Sequence, residues 1–258
     1  IRRQRQMCIR DSYYHHQLLN SPAGQRTLSY LGQREVSGEA IRQFQLGHSP
    51  DSWDALRLEL MRSGFLEEEL VEAGLLVCKE RGETYDRFRN RLMFPIRDAS
   101  GRVIGFGARA LDDSQPKYLN SPQSLVFDKS NTLYGINLAK SAIRKQDLAV
   151  VVEGYMDAII AHQHGFNNVV ASLGTALTEK QVGAIKKLTK NLTLALDADA
   201  AGAMATLRGI EVASQTFDRK VLPLPTSAGL VKYEDLLDAE ISVMVLPPGK
   251  DPDDLIRE

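Results

Sequence analysis

From Leu148 onward, short valine- and leucine-rich runs alternate with helical segments, and this alternation restricts the fold more than any other feature of the chain. Leu148 to Val152, Asn168 to Ser172, Leu192 to Leu196, Lys220 to Leu224 and Ile241 to Leu246 read as strands. Ala158 to His164 (stopped by Gly165), Thr178 to Leu188 (capped by Thr178) and Ala200 to Ser214 read as helices. Strands separated by helices pair in parallel, because a parallel neighbour needs a long crossover. The spacing therefore predicts a mostly parallel sheet covered by helices. Pro225 to Glu240 interrupts it with Pro, Ser and Gly, followed by an expected acidic helix.

The upstream part follows a different rhythm. Tyr13 to Ala73 reads as a series of short helices, with Ser37 as a cap and Gly74 as a stop. Arg91 to Arg97 and Arg102 to Gly107 read as two strands joined by the turn residues Asp98 to Gly101. Gly105 and Gly107 suit a close backbone approach or a bulge. The fold class is thus α/β: an α+β basic subdomain over 13–145, then a mostly parallel α/β subdomain over 146–258. Ile1 to Ser12 is unlike the rest and is excluded from this reading.

No run of about 18 apolar residues exists, so no membrane span and no membrane partner is expected. Cys8 and Cys78 form no Cys-x-x-Cys pair, which argues against zinc within this chain and fits a reducing cytoplasm. His15, His16, His162 and His164 read as surface or capping residues. Charge is uneven. Residues 85–145 hold eleven Lys or Arg against five Asp, and residues 231–258 hold eight Asp or Glu against three Lys or Arg. The two regions either cancel within the fold or mark a phosphate-binding surface beside a metal-binding one.

Three acidic clusters each follow an expected strand: Glu153 with Asp157, Asp197 with Asp199, and Asp251 with Asp253. In an open parallel sheet the carboxyl ends of the strands share one rim, where ligands bind. Asp197 and Asp199 are two apart, so in extended chain both leave the same face. Close carboxylates repel one another unless cations neutralise them, and Mg²⁺ prefers such oxygen donors. Any one cluster alone reads equally as a helix cap or a solvated loop charge; Asp254 and Glu258 read as surface charge.

Glu153-Gly154-Tyr155-Met156-Asp157 and Asp197-Ala198-Asp199, with Ala201-Gly202 behind, resemble the TOPRIM fold of primases, topoisomerases and some nucleases. Upstream, Tyr85-Asp86-Arg87-Phe88-Arg89-Asn90-Arg91, Gly105-Phe106-Gly107-Ala108-Arg109, Pro116-Lys117-Tyr118-Leu119-Asn120-Ser121-Pro122 and Phe127-Asp128-Lys129 resemble the basic subdomain of bacterial DnaG-type primases. The resemblance spans about Tyr14 to Arg257. It implies synthesis of RNA primers on single-stranded DNA during replication, by nucleotidyl transfer from ribonucleoside triphosphates with pyrophosphate release. It implies Glu153, Asp197 and Asp199 as catalytic residues. Metal (Mg²⁺, with Mn²⁺ as the substitute) is expected at Glu153, Asp157, Asp197, Asp199, Asp251 and Asp253. Arg34, Arg109, Lys117, Asn120 and Lys129 are expected to bind substrate or template. Replicative helicase and single-strand-binding protein are expected partners through regions outside this sequence, since the family's zinc-binding and helicase-binding domains do not fit within it, and location follows the replication fork in the cytoplasm.

Some residues stay open on the sequence. Phe88, Phe94, Phe106 and Tyr118 either stack bases or pack a core. Arg87, Arg89 and Arg91 either sit on a solvated edge or contact phosphate. The alternative functions are a TOPRIM-type nuclease or a non-catalytic single-stranded DNA-binding module. Residues 225–240 make a longer spacer than the family pattern has, which loosens the placement of Asp251 and Asp253.

Overall fold

The computed structural model describes residues 12–174, 176–197, 200–225, 231–245, 247 and 252–257. The chain divides into two compact units, the first ending at Lys129 and the second beginning at Ser130.

In the first unit, helices α1 (12–20), α2 (Gly24–Gln33), α3 (Gly38–Gln43), α4 (Ala55–Arg62) and α5 (Glu67–Glu72) accompany two sheets. Ser37 caps α3 by accepting from the amide of Ala40, as its position before the helix predicts. The larger sheet runs β1–β4–β5–β6, built from β1 (Gly47–Ser49), β4 (Arg91–Arg97), β5 (Val103–Ala110) and β6 (Tyr118–Asn120), all antiparallel. A bulge falls between Ile96 and Arg97. Across from it, Gly105 lets the Phe127 ring approach where a Cβ would lie 3.1 Å away. The smaller sheet pairs β2 (Leu76–Cys78) with β3 (Thr84–Asp86). Tyr14, Leu60, Leu70, Phe88, Met93 and Phe106 form one apolar core. Phe88 and Phe106 belong to that core, Phe94 is fully buried too, and Tyr118 alone of the four aromatics is exposed.

In the second unit, the sheet order is β12–β9–β7–β8, and every pairing is parallel. Its strands are β7 (Ala149–Val152), β8 (Val169–Ala171), β9 (Asn191–Leu194) and β12 (Glu240–Val243). Helices α6 (Ile136–Gln146), α7 (Tyr155–Gln163), α8 (Glu179–Lys186), α9 (Ala200–Thr216) and α10 (Pro252–Arg257) complete it. Thr178 caps α8 through the amide of Gln181.

The α6 residues Ile136, Ala139 and Ile143 share a core with Val151, Val170 and Leu194. Three expectations change in this unit. The strand expected at Lys220 to Leu224 forms (β10, Arg219–Pro225) but lies outside the parallel sheet. The acidic helix expected before Glu240 is instead β11 (Val231–Leu237), which pairs antiparallel with β10. Val231 and Tyr233 favour extended chain, and cross-strand pairs such as Arg219–Asp235 accommodate the acidic residues. His162, expected at the surface or in a cap, is buried and bonds the Val169 carbonyl at 2.8 Å.

Candidate functional site

Strands β7 and β9 are parallel neighbours, so the residues after Val152 and Leu194 emerge on one rim. There the Glu153 carboxylate accepts a hydrogen bond from the backbone amide of Asp197 at 3.2 Å. Forty-four residues apart in sequence, the two acidic positions meet because the sheet brings their strand ends together. Glu153 is held from the other side as well. Past β8, the Ser172 amide donates to the Val152 carbonyl at 3.0 Å and the Gly174 amide to the Glu153 carbonyl at 3.1 Å. Leu173 sits between them at φ +69°, a left-handed conformation costly for a leucine and enforced here by its burial. Neither Leu173 nor Gly174 stood out in the sequence; Gly174, also at φ +69°, is the only local signal of that turn.

Behind Asp197, the first turn of α9 crosses so closely that a Cβ on Gly202 would lie 2.0 Å from the Asp197 carbonyl oxygen. Asp157 is buried in the first turn of α7, where its Oδ2 accepts from the Gly154 amide at 2.9 Å. Gly154 has no side chain, so Asp157 supplies this half of the cap alone. Helix α10 packs against α7. On α10, Asp253 is buried and ion-paired with Arg257 at 2.9 Å. Asp199 and Asp251 lie outside the described residues. Among the described residues, no three His, Cys, Asp or Glu side chains form a metal-holding group.

The first unit holds the basic candidates. Arg109 on β5 lies over the Tyr30 ring at 4.7 Å and the Tyr118 ring at 5.6 Å. Arg34, at the end of α2, donates from Nε to the Tyr30 hydroxyl at 3.4 Å. Tyr30 thus ties two expected binding residues together; its spacing of four from Arg34 on a helix was the available signal. Lys117 precedes the short strand β6 and Asn120 ends it, and within it Tyr118 stands opposite Arg109. Lys129 opens a 3₁₀ turn, where burial lowers its pKa.

The same unit holds a second arginine–aromatic group. Arg89 stacks over exposed Trp53 at 4.0 Å and over Tyr85 at 5.2 Å. Sequence reading passed over Trp53, the single tryptophan. Arg87 and Arg91, left open between solvent and phosphate, instead bond backbone carbonyls, those of Asn120 at 3.2 Å and Pro116 at 2.8 Å. No helix among the described residues is long and apolar enough to cross a membrane.

Comparison with known proteins gives two family matches. Residues 13–140 match the DNA primase catalytic core, N-terminal domain, and residues 150–236 match a Toprim-like domain. The DNA primase of Clostridium acetobutylicum is 42% identical over 240 residues, which is 93% of this chain and 36% of that protein. A DNA primase domain from Pseudomonas aeruginosa superposes with a TM-score of 0.86 at 37% identity, covering 99% of this chain and 74% of that one. A DnaG primase catalytic domain bound to single-stranded DNA gives 0.82 at 37% identity, covering 100% of this chain and 76% of that one. The chain spans about a third of the length of the curated relatives it matches. Primases with a Toprim module depend on divalent metal.

Proposed function

From the premise that this chain belongs to the bacterial DnaG-type primase family, as its catalytic core, we propose that it makes RNA primers on single-stranded DNA by Mg²⁺-dependent nucleotidyl transfer. The observation that carries the reading is the meeting of Glu153 with Asp197 on the rim of the parallel sheet. All six proposed ligands, Glu153, Asp157, Asp197, Asp199, Asp251 and Asp253, are carboxylates, the hard oxygen donors that suit Mg²⁺. Mg²⁺ bound there would neutralise charge developing on the phosphoryl oxygens during transfer.

The protein's own groups do the holding. Glu153, Asp197 and Asp199 fix the metal-bearing end of the nucleotide, with Asp157 as a neighbour already committed to the α7 cap. Asp253 would contribute only by exchanging its Arg257 pair. Arg109, Lys117 and Lys129 hold triphosphate or template phosphates, Arg by its planar fork and Lys as point charges. Arg34 acts through Tyr30, and Asn120 offers amide hydrogen bonds to a base or sugar. The exposed faces of Trp53 and Tyr118 suit stacking of unpaired bases. A 3′-hydroxyl attacks the α-phosphate, its proton passing to water, and the bond to the leaving pyrophosphate breaks. In the full-length protein, replicative helicase and single-strand-binding protein are the proposed partners, at the replication fork in the cytoplasm.

Incorporation of labelled ribonucleotides on a single-stranded template tests this. Asp197→Ala should reduce synthesis by roughly a hundredfold or more, and full activity of that variant would end the proposal. Cleavage of plasmid without incorporation would favour the nuclease instead. A binding measurement separates ligation from folding. Asp197→Asn should melt no earlier than wild type in EDTA, because it removes carboxylate repulsion, yet lose most of the Mg²⁺-induced rise in melting temperature. An equal Mg²⁺ shift in both proteins would remove Asp197 from the ligand set.

A further inference from the structure

Strand β6 carries Tyr118 and Asn120 and follows directly on Lys117, yet it is three residues long and lies at the edge of its sheet. Its pairing to β5 covers Gly107–Asn120, Ala108–Leu119 and Arg109–Tyr118, continued by the Ala110 amide donating to the Lys117 carbonyl at 2.9 Å and the Ser121 amide to the Phe106 carbonyl at 2.8 Å. An edge strand has a ladder on one side only, so its backbone rests on few bonds. Two arginines act on its ends. Arg91 stands on β4 opposite Ala110 of β5, and its guanidinium reaches past β5 to donate to the Pro116 carbonyl at 2.8 Å. Arg87 donates to the Asn120 carbonyl at 3.2 Å. The arginines are four residues apart, and so are the two carbonyls they hold.

We infer that Arg87 and Arg91 are positioning residues that fasten the Lys117–Asn120 segment at both ends and so set the nucleotide- or template-binding groups it carries. Arg91 is a poor choice for a phosphate contact, being only 6% exposed, and burial lowers the pKa of each arginine. A buried cation is costly unless it is hydrogen-bonded, and a charge-assisted bond to a carbonyl supplies that compensation. The backbone of Arg91 is itself held, its amide donating to the Ser49 hydroxyl at 3.0 Å. One anchor is therefore rooted in the centre of the sheet. A lysine in its place would keep the charge and lose the planar fork that lets one nitrogen reach a carbonyl at this distance.

The role of the segment in binding rests on the proposed function; the fastening itself does not. Hydrogen exchange and kinetics on Arg91→Met and Arg87→Met test the two together. Amides of residues 117–120 should exchange about tenfold faster or more in each variant, while those of residues 92–96 keep their protection. Nucleotide KM should rise by a similar factor, with kcat within about twofold of wild type. Arg91→Lys should fall between. Should Arg91→Met not fold, Arg87→Met, whose arginine is less enclosed, decides the matter. Wild-type exchange at residues 117–120 in the folded variants overturns the inference, and so does an unchanged KM beside faster exchange. If the wild-type chain makes no primers, the functional proposal fails, and the exchange rates still decide whether the arginines fasten the strand.

Discussion

Gly202 and Asp197 touch through their backbones, and no larger residue fits at 202. A methyl group there meets the Asp197 carbonyl at 2.0 Å, and backbone cannot rotate away as a side chain can. Gly202→Ala should therefore push the α9 turn off the rim, costing roughly 1–3 kcal/mol and displacing Asp197 as well. Thermal melting and primer synthesis should fall together; a variant as stable and active as wild type would contradict the contact. His162 gives a pH prediction. Burial lowers its pKa, against the opposing effect of its bond to Val169. The folded state thus prefers the neutral ring. Above about pH 6.5 this group leaves stability unaffected. As the pH falls below that value the unfolded chain takes up the proton first, and stability is lost until the folded pKa is passed. His48, buried against Thr27 at 2.8 Å and also lowered by burial, adds in the same direction. Melting temperature measured from pH 8 to 5 should show this fall, and His162→Gln, which keeps a donor for Val169, should flatten it.

At the scale of elements, helix α4 takes its cap from a distant residue. Asp54 stands at the N-cap position without a side-chain cap bond. Asp86, on β3, instead accepts from the amides of Leu56 and Arg57 at 2.7 and 3.0 Å. Desolvation raises the Asp86 pKa, and those two amide bonds pull it back. Asp86→Ala leaves two helix donors unsatisfied in a buried place, so a loss of about 2 kcal/mol is expected in denaturant unfolding. A loss near zero would mean that water caps the helix instead. The sequence places Asp86 in an arginine-rich motif that resembles a nucleic-acid surface. Its role as a helix cap was invisible there, because the bond joins residues 30 apart. The strand pair β4–β5 was legible by contrast, since the two apolar runs and the turn at Asp98–Gly101 are local. The helix expected before Glu240 failed for the opposite reason: acidic residues at mixed spacing satisfy both helix and strand, and pairing with β10 decided it.

At the scale of the whole molecule, the β10–β11 pair is, among the described residues, weakly bound to a core. Val221, Val231 and Tyr233 are each more than half exposed, and the hairpin joins neither four-stranded sheet. Leu237, Ala239 and Ile241 pack on the core of the second unit. Replacing residues 221–235 with a short polar turn should therefore keep the parallel sheet. The melting temperature should stay within a few degrees, since little burial is lost. Primer synthesis should persist, as no proposed site residue lies within that stretch. Loss of cooperative unfolding would show that the hairpin supports the fold.

Local pattern alone determined much of this protein. Short apolar runs and helical spacing marked the strands and helices of the parallel sheet, and the rule for strand ends placed Glu153 and Asp197 on one rim. Those signals are carried by neighbours in the chain, so they survive without tertiary knowledge. Tertiary structure alone decided that Tyr30 joins Arg34 to Arg109, that Asp86 caps α4, and that Arg87 and Arg91 hold carbonyls of the β6 segment. Each of those is a contact across the fold by a side chain whose type suits several uses. Arginine binds phosphate, carboxylate, aromatic faces and carbonyls alike, and only burial and geometry select among them.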